Sequence, residues 1–385
     1  MLSNSPALTP VLVVQRRMTH YRVPFFEALR ADMRAAGLQL QLAYGSPTDD
    51  ESTKRDSGDL DWATRLHTRY ALQGKLCWQP FGHLAAHCAL TVITAENKLI
   101  CNLLEQFGAA HRRVVLWGHG ANLQGDPDSL RERFKSRIAL RADWWLAYTD
   151  MSRDLVQALG FPMDRITVLN NAVDTTELVA QFAAVTPESQ ESLRAELSLE
   201  QGPVAVYVGS MYAEKRIEFL LDAARELRER LPGFSLLVIG GGPQQGLIEA
   251  AAVKAPWIKV LGIRKGANKA LAASLADVML NPGLVGLNIL DSFAGGLPML
   301  TTDCKLHSPE ISYLDSGRNG LMTANTLNDY VQAAVALLSD RARLQAMRAA
   351  CMDDARRFTI AAMSRRFTEG VLGALSAPIR RGQRA

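Results

Sequence analysis

Three loops of this sequence carry groups that could bind a phosphate or a sugar hydroxyl, and each follows an apolar run typical of a buried strand. In one, Trp117-Gly118-His119-Gly120, the imidazole could hydrogen-bond a ligand hydroxyl or phosphate. In another, the loop after Gly209, Lys215 could neutralise charge on a leaving group. Each has an alternative, because such a His can cap the next helix and a Glu-Lys-Arg triplet can be its solvated start.

The third loop lies in residues 281–303, the stretch around which the chain is organised. An apolar run ends in Asn281-Pro282-Gly283, and apolar residues at helical spacing then predict a helix from near Gly286 to Gly295-Gly296. Glycines 283 and 286 would let phosphates approach backbone N–H groups at the positive end of that helix. The alternative is a loop that only packs an α/β domain.

Strand–helix alternation along the chain predicts the α/β class, with two Rossmann-like domains facing a central cleft. We expect an N-terminal domain at 1–180, an interdomain connection at 181–201 where the sequence turns polar and loses its strands, and a C-terminal domain at 202–361. Residues 362–385 are expected to form a C-terminal helix and a basic tail, and this helix could cross back to the first domain.

Composition excludes several classes. The 385 residues include 43 basic and 39 acidic ones, so the net charge of +4 is too balanced for a dedicated nucleic-acid binder. Five scattered cysteines without C-x-x-C pairs favour a reducing compartment over disulfides or zinc. The N-terminal apolar run is short and precedes its positive charges, unlike a signal peptide. We therefore expect a cytoplasmic protein.

Several weak motifs in a fixed order give a family resemblance. VGSMYAEKRIEFLLDAA, LLVIGGGP, VLGI, the 281–303 stretch and HSPEISYLDSGRNGLM resemble the C-terminal half of retaining glycosyltransferases of the GT-B fold, family four (group 1). HYRVPFFEAL, LWGHG and LNNAVDTTEL are more loosely similar to the N-terminal half. The resemblance runs from about residue 12 to about residue 340.

The resemblance implies transfer of a sugar, with retention, from a nucleotide-diphosphate sugar to a glycan or lipid-linked acceptor in cell-surface polysaccharide or glycolipid synthesis. It implies that Lys215 stabilises the departing diphosphate, His119 touches the donor sugar and Asp291 binds the ribose. The donor-binding set is Gly209, Ser210, Arg264, Gly283, Gly286, Leu287, Asn288 and Asp291. Two departures stand out, because Gly283 and Asp291 replace the family's usual pair of Glu residues and Ser210 replaces its usual first basic residue.

Acceptor recognition is assigned to residues at the end of the first strand, namely Arg17, His20, Tyr21 and Arg22. The basic amphipathic segment Arg131–Arg141 could place the enzyme on the inner membrane surface, although a solvated helix packing on the core is the alternative.

No cofactor is expected, and a metal looks unnecessary where amides and a Lys hold the phosphates. Two D-x-D matches, Asp59-Leu60-Asp61 and Asp126-Pro127-Asp128, lie in polar stretches. A sugar-nucleotide epimerase of the same shape and a non-catalytic sugar-nucleotide-binding protein remain rival interpretations. A nicotinamide dehydrogenase is disfavoured, because the first strand ends in QRRMTHYR rather than G-x-G-x-x-G.

Overall fold

The computed structural model describes residues 7–52, 56–96, 98–108, 112–120 and 137–380. The chain divides into two compact units, one made of Met1–Asp174 with Ile360–Ala385 and the other of Thr175–Thr359. The sequence placed these boundaries at 180, 202 and 361 instead. The expected connection at 181–201 lies in the second unit, where the Gln190 side-chain amide donates to the Ser274 carbonyl at 3.1 Å.

The first unit contains a parallel seven-stranded sheet of order β3-β2-β1-β6-β7-β8-β9 and a separate two-stranded hairpin, β4-β5. The strands are β1 Thr9–Arg17, β2 Leu38–Gly45, β3 Thr64–Arg65, β4 Arg69–Ala71, β5 Leu76–Trp78, β6 Leu90–Thr94, β7 Arg113–Gly118, β8 Trp144–Ala147 and β9 Ile166–Val168. Helices of this part of the chain are α1 Val23–Ala35, α2 Asp49–Ser52, α3 Gly82–Ala85, α4 Ile100–Gly108 and α5 Asp150–Ala158.

The second unit contains a parallel six-stranded sheet of order β12-β11-β10-β13-β14-β15. Its strands are β10 Val204–Val208, β11 Ser235–Ile239, β12 Ile258–Gly262, β13 Val278–Leu280, β14 Met299–Thr302 and β15 Gly320–Thr323. Its helices are α6 Thr176–Ala183, α7 Pro187–Glu196, α8 Ile217–Arg230, α9 Gln245–Lys254, α10 Gly266–Ser274, α11 Asn288–Ala294, α12 Leu327–Ser339 and α13 Arg341–Arg357. Each sheet is the α/β arrangement that the alternation predicted.

Central strands are buried along their whole length, because helices cover both faces of a parallel sheet. The VAVYV of β10 and the SLLVI of β11 have no exposed residue. These strands could be predicted from the sequence because their apolar residues form continuous rather than alternating runs. The loops that follow them lie at the carboxyl edges of the sheets, where α/β proteins bind ligands.

The last helix, α14 Ile360–Ser376, returns to the first unit and packs against α1. The Phe367 ring lies 5.8 Å from Phe25 and 5.2 Å from Trp117, measured between ring centroids. This aromatic contact fixes the start of α1 and the residues just before it. No helix in the described parts of the chain is long and apolar enough to span a membrane.

Candidate functional site

Three loops at the carboxyl edge of the second sheet interlock through backbone hydrogen bonds. The amide of Met211, after β10, donates to the Gly241 carbonyl at 2.9 Å, and the Gln244 amide donates back to Met211 at 2.8 Å. A side chain at Gly240 would place its Cβ 1.9 Å from the Gly209 carbonyl oxygen. Glycine is therefore required at 240 for the two loops to meet.

Lys215 ends a short 3₁₀ turn in the first of these loops and has a buried side chain. Only 5% of the residue is exposed, and its ammonium donates to the Leu284 carbonyl at 2.5 Å. Burial lowers the pKa of Lys215 to about 8. Across the described residues, no carboxylate forms an ion pair with it. The sequence offered a solvated helix start as the alternative for this Glu-Lys-Arg triplet; instead the 281–286 loop folds over the ammonium.

Gly283 lies in the 281–286 loop that covers the Lys215 ammonium. The residue is buried, and a Cβ there would lie 2.3 Å from the Glu214 carbonyl oxygen and 2.5 Å from the Lys215 carbonyl carbon. The neighbouring Leu284 amide donates to Glu214 at 2.8 Å. The sequence led us to expect that Gly283 leaves room for phosphates; instead, packed backbone of Glu214 and Lys215 occupies the place of a side chain.

Two side chains hold the loop before α11, one at the start of that helix and one in the loop after β14. The Gly286 amide donates to the Asn288 side-chain oxygen at 3.1 Å, and the Val285 amide donates to His307 Nδ1 at 3.1 Å. Since Nδ1 accepts, the proton lies on Nε2, which donates to the Thr302 carbonyl at 2.7 Å. The Asn288 side-chain nitrogen is buried without a hydrogen-bond partner among the described residues. Helix α11 starts at Asn288, two residues after the predicted Gly286.

Asp291 and Arg264 also lie on this unit. The Asp291 carboxylate pairs with Lys269 of α10 at 2.8 Å, and both side chains are about one-fifth to one-quarter exposed. Arg264 is exposed, and its Nε donates to the Leu261 carbonyl at 2.9 Å. Ser210 is exposed beside the half-buried Gly209, and Leu287 is half-buried at the start of α11.

Of the expected acceptor residues in the first unit, Arg17 is already neutralised. Its guanidinium contacts both carboxylate oxygens of Asp56, at 2.6 and 3.0 Å. His20 is exposed with Nδ1 3.2 Å from the Asp56 carbonyl, and Tyr21 is 37% exposed.

Arg22 and His119 lie on the same Tyr ring. The Arg22 guanidinium carbon is 5.7 Å from the Tyr148 ring centroid, and the His119 imidazole packs edge-on against that ring at 4.5 Å. His119 is exposed, whereas Arg22 is 7% exposed. The structure thus brings together two residues that the sequence assigned to different roles.

Three further residues of these sites were not expected from the sequence, namely Tyr148, Lys269 and His307. Tyr148 follows β8 directly, so an aromatic residue at a strand end was an available signal. Lys269 sits within GANKALAAS, where no local pattern marks it. His307 lies in a loop after β14 and opens the HSPEISYLDSGRNGLM motif, but the motif alone gave it no role. Their contacts depend on tertiary packing alone.

A cavity of about 590 Å³ opens elsewhere on the second unit and includes none of the predicted site residues. Its walls are largely apolar and come from α6, the end of α11 and α13, including Val179, Phe182, Ala294 and Met352. The described part of the chain contains no group of three or more His, Cys, Asp and Glu side chains that could hold a metal ion. Asp59 pairs with Arg65 at 2.6 Å, while Asp126-Pro127-Asp128 lies outside the described residues.

Comparisons with known proteins identify relatives of this chain. A D-inositol 3-phosphate glycosyltransferase of Nocardia farcinica is 31% identical over 232 residues, covering 56% of this chain and 49% of that protein. A GDP-mannose-dependent alpha-(1-6)-phosphatidylinositol monomannoside mannosyltransferase of Mycolicibacterium smegmatis is 27% identical over 253 residues, covering 62% and 64%. The chain thus spans about half the length of the first relative.

The crystal structure of Anabaena Alr3699/HepE in complex with UDP superposes with a TM-score of 0.69 at 14% identity, covering 95% of this chain and 100% of that one. This likeness shows a fold of two α/β parallel-sheet domains, as in GT-B glycosyltransferases. Residues 202–340 match the family model described as glycosyl transferases group 1. The part of the chain that carries the interlocked loops, Lys215 and Asp291 is therefore a group 1 glycosyltransferase domain.

Proposed function

We propose that this protein is a glycosyltransferase that moves a sugar from a nucleotide-diphosphate sugar to a glycan or lipid-linked acceptor, with retention, in cell-surface polysaccharide or glycolipid synthesis. The observation that carries the proposal is the buried Lys215 beneath interlocked loops at the carboxyl edge of the second sheet, where no described carboxylate forms an ion pair with it. A buried ammonium without a carboxylate is costly unless an anion completes its coordination. A diphosphate supplies that anion.

The chemistry follows from charge. Breaking the bond between sugar and diphosphate leaves positive charge on the sugar carbon and negative charge on the departing phosphate. The acceptor hydroxyl oxygen then bonds to that carbon, and its proton passes to an oxygen of the departing phosphate. Lys215 stabilises the departing phosphate, because a fixed cation in a desolvated site acts strongly on developing charge. The backbone N–H groups of Leu287 and Asn288 and the Asn288 side-chain NH₂ contribute further donors, while the Gly286 N–H holds the Asn288 side chain in place.

The remaining residues contact other parts of the donor. Asp291, held by Lys269, accepts hydrogen bonds from the ribose, while Gly209, Ser210 and the backbone near Arg264 line the nucleotide site. His119 contacts the transferred sugar. No metal is assigned, because these groups already provide the positive charge that the diphosphate needs.

Membrane attachment through Arg131–Arg141 stays a proposal. Residues 131–136 lie outside the described part of the chain, and Arg141 stacks on Phe107 with its guanidinium carbon 4.3 Å from the ring centroid. If the segment binds anionic lipid, replacing Arg133, Lys135 and Arg137 by Gln should release the protein from anionic vesicles, at about 1 kcal/mol per residue. Sedimentation with vesicles that is indifferent to both salt and these replacements would contradict it.

The test of the function uses purified full-length protein with a panel of nucleoside diphosphates and nucleotide sugars. We expect thermal stabilisation by one nucleoside diphosphate and its sugar, by roughly 2.7 kcal/mol at about 100 times the dissociation constant. With that donor and an acceptor mixture, the nucleoside diphosphate should be released only when an acceptor is present. Release together with an epimerised sugar and no acceptor would favour an epimerase, and binding without turnover would favour a non-catalytic protein.

A further inference from the structure

Arg22 is a buried cation in the first unit. Only 7% of the residue is exposed, and no carboxylate forms an ion pair with it in the part of the chain that the structure describes. Among the described residues, its side chain makes one hydrogen-bond contact, to the Met363 thioether sulfur 3.9 Å from Nη1, which is a weak and neutral acceptor. By contrast, Arg16 and Arg17 nearby are both paired with acids, Glu51 and Asp56.

The aromatic rings around Arg22 attract its guanidinium but do not neutralise its charge. Its guanidinium carbon lies 5.2 Å from the Trp117 ring, 5.5 Å from Tyr21 and 5.7 Å from Tyr148. Ring faces attract a cation, but they offer no oxygen to accept the five guanidinium protons. The indole nitrogen of Trp117 is itself a buried donor without an acceptor among the described residues. The pocket therefore holds a surplus of hydrogen-bond donors.

The position on the helix adds to this positive potential. Arg22 immediately precedes α1, a 13-residue helix, so it stands at the end where the helix dipole already favours an anion. A cation there is unfavourable by itself, and burial makes it more so. Burial, the lack of an ion pair among the described residues and the helix dipole each make this position unfavourable for a cation. A protein retains such features where a bound ligand compensates their cost.

We infer that Arg22 binds an oxyanion, a phosphate or carboxylate group, carried by the acceptor. Its planar fork can hold two oxygens at once, and two exposed side chains lie close by: Tyr21, whose ring contacts the guanidinium, and His119, which packs on the same Tyr148 ring. The acceptor would thus be an anionic molecule rather than a neutral glycan. As an acceptor site, the inference rests on the proposed function; the oxyanion site itself is measurable without it.

The experiment titrates inorganic phosphate and, separately, acetate into full-length protein by calorimetry. Phosphate that binds more tightly than acetate would identify a phosphate site, and the reverse a carboxylate site. The variants are Arg22→Gln, Arg22→Lys, Lys215→Met and, as a matched control on the exposed face of α1, Arg30→Gln. Lys215→Met separates this site from phosphate bound in the second unit.

We expect Arg22→Gln to weaken oxyanion binding by about tenfold or more, while Arg30→Gln and Lys215→Met retain it. Arg22→Lys should weaken it less, because a point charge replaces the two-pronged contact. If circular dichroism shows that Arg22→Gln does not fold, the oxyanion affinity of Arg22→Lys compared with wild type decides the test. Wild-type protein that binds neither anion at a site sensitive to residue 22 would overturn the inference. Nucleoside diphosphate binding, measured in the same samples, reports separately on the proposed function.

Discussion

Replacing Lys215 by Met should make the protein more stable at pH 7 while weakening nucleotide binding. Burial lowers the pKa of Lys215 from its ordinary 10.5 to about 8. Each unit of difference between folded and unfolded pKa corresponds to about 1.4 kcal/mol, so keeping the charge buried costs about 3 kcal/mol. Met fills similar space without charge, but it gives up the hydrogen bond to Leu284, which is worth about 1 kcal/mol. The net gain is about 2 kcal/mol.

The sign of this effect depends on pH. Below pH 8 both folded and unfolded chains carry the proton on Lys215, so the full cost is present. Between about pH 8 and 10.5 the unfolded chain binds more protons than the folded one, so the wild-type free energy of unfolding rises relative to that of the variant. The advantage of Lys215→Met should shrink across this range and reverse near its upper end.

Urea unfolding of wild type and Lys215→Met at pH 7, 8.5 and 10 measures this directly. Lys254→Met is the matched control, because Lys254 is exposed near the end of α9 and should change stability by no more than about 0.5 kcal/mol. If Lys215→Met is less stable than wild type at pH 7, the ammonium is not an uncompensated buried charge. The argument for an anion site at Lys215 would then be lost.

The remaining predictions test neighbouring features of the same unit. Gly283→Ala should lower the free energy of unfolding by about 2 kcal/mol or more, because its Cβ meets backbone, whereas Gly246→Ala, with open space around it, should be neutral or slightly stabilising in urea titrations. Asp291→Asn should weaken nucleoside diphosphate affinity by about 1–2 kcal/mol in calorimetry, and unchanged affinity would remove Asp291 from the ribose site. For Cys304, burial opposes ionisation but hydrogen bonds from His307 and the Leu306 backbone outweigh it and lower the thiol pKa to about 7. Iodoacetamide should therefore modify Cys304 before the four buried cysteines, at a rate that falls as pH drops below 7; preferential labelling of another cysteine would contradict this.

The sequence was most informative where one local pattern determines the structure. Continuous apolar runs such as β10 and β11 predicted the buried parallel strands, and the residues after them are at the sheet edge because strand direction dictates it. The same reasoning found the loops that hold Lys215 and Gly283. The group 1 glycosyltransferase match of residues 202–340 confirms the resemblance that those loops suggested.

Side-chain environments were not predictable in this way. Whether Lys215 is exposed depends on the 281–286 loop folding over it, which is a contact between residues about 70 positions apart. The pairing of Asp291 with Lys269 and the shared Tyr148 ring of Arg22 and His119 are likewise set by tertiary packing. Polar helices that pack on one side, such as α7, also resemble a linker in sequence, which is why the expected connection at 181–201 was misplaced.

The most direct test of the central claim is calorimetric titration of UDP and GDP at pH 8, in two buffers with different ionisation enthalpies. If the diphosphate completes the coordination of Lys215, its binding raises the pKa of that ammonium above about 8 and the complex takes up a fraction of a proton. We predict proton uptake with wild-type protein for one of the two nucleotides, and binding that is weakened and free of this uptake with Lys215→Met. Equal affinity and equal proton uptake in the two proteins would contradict the placement of the diphosphate at Lys215.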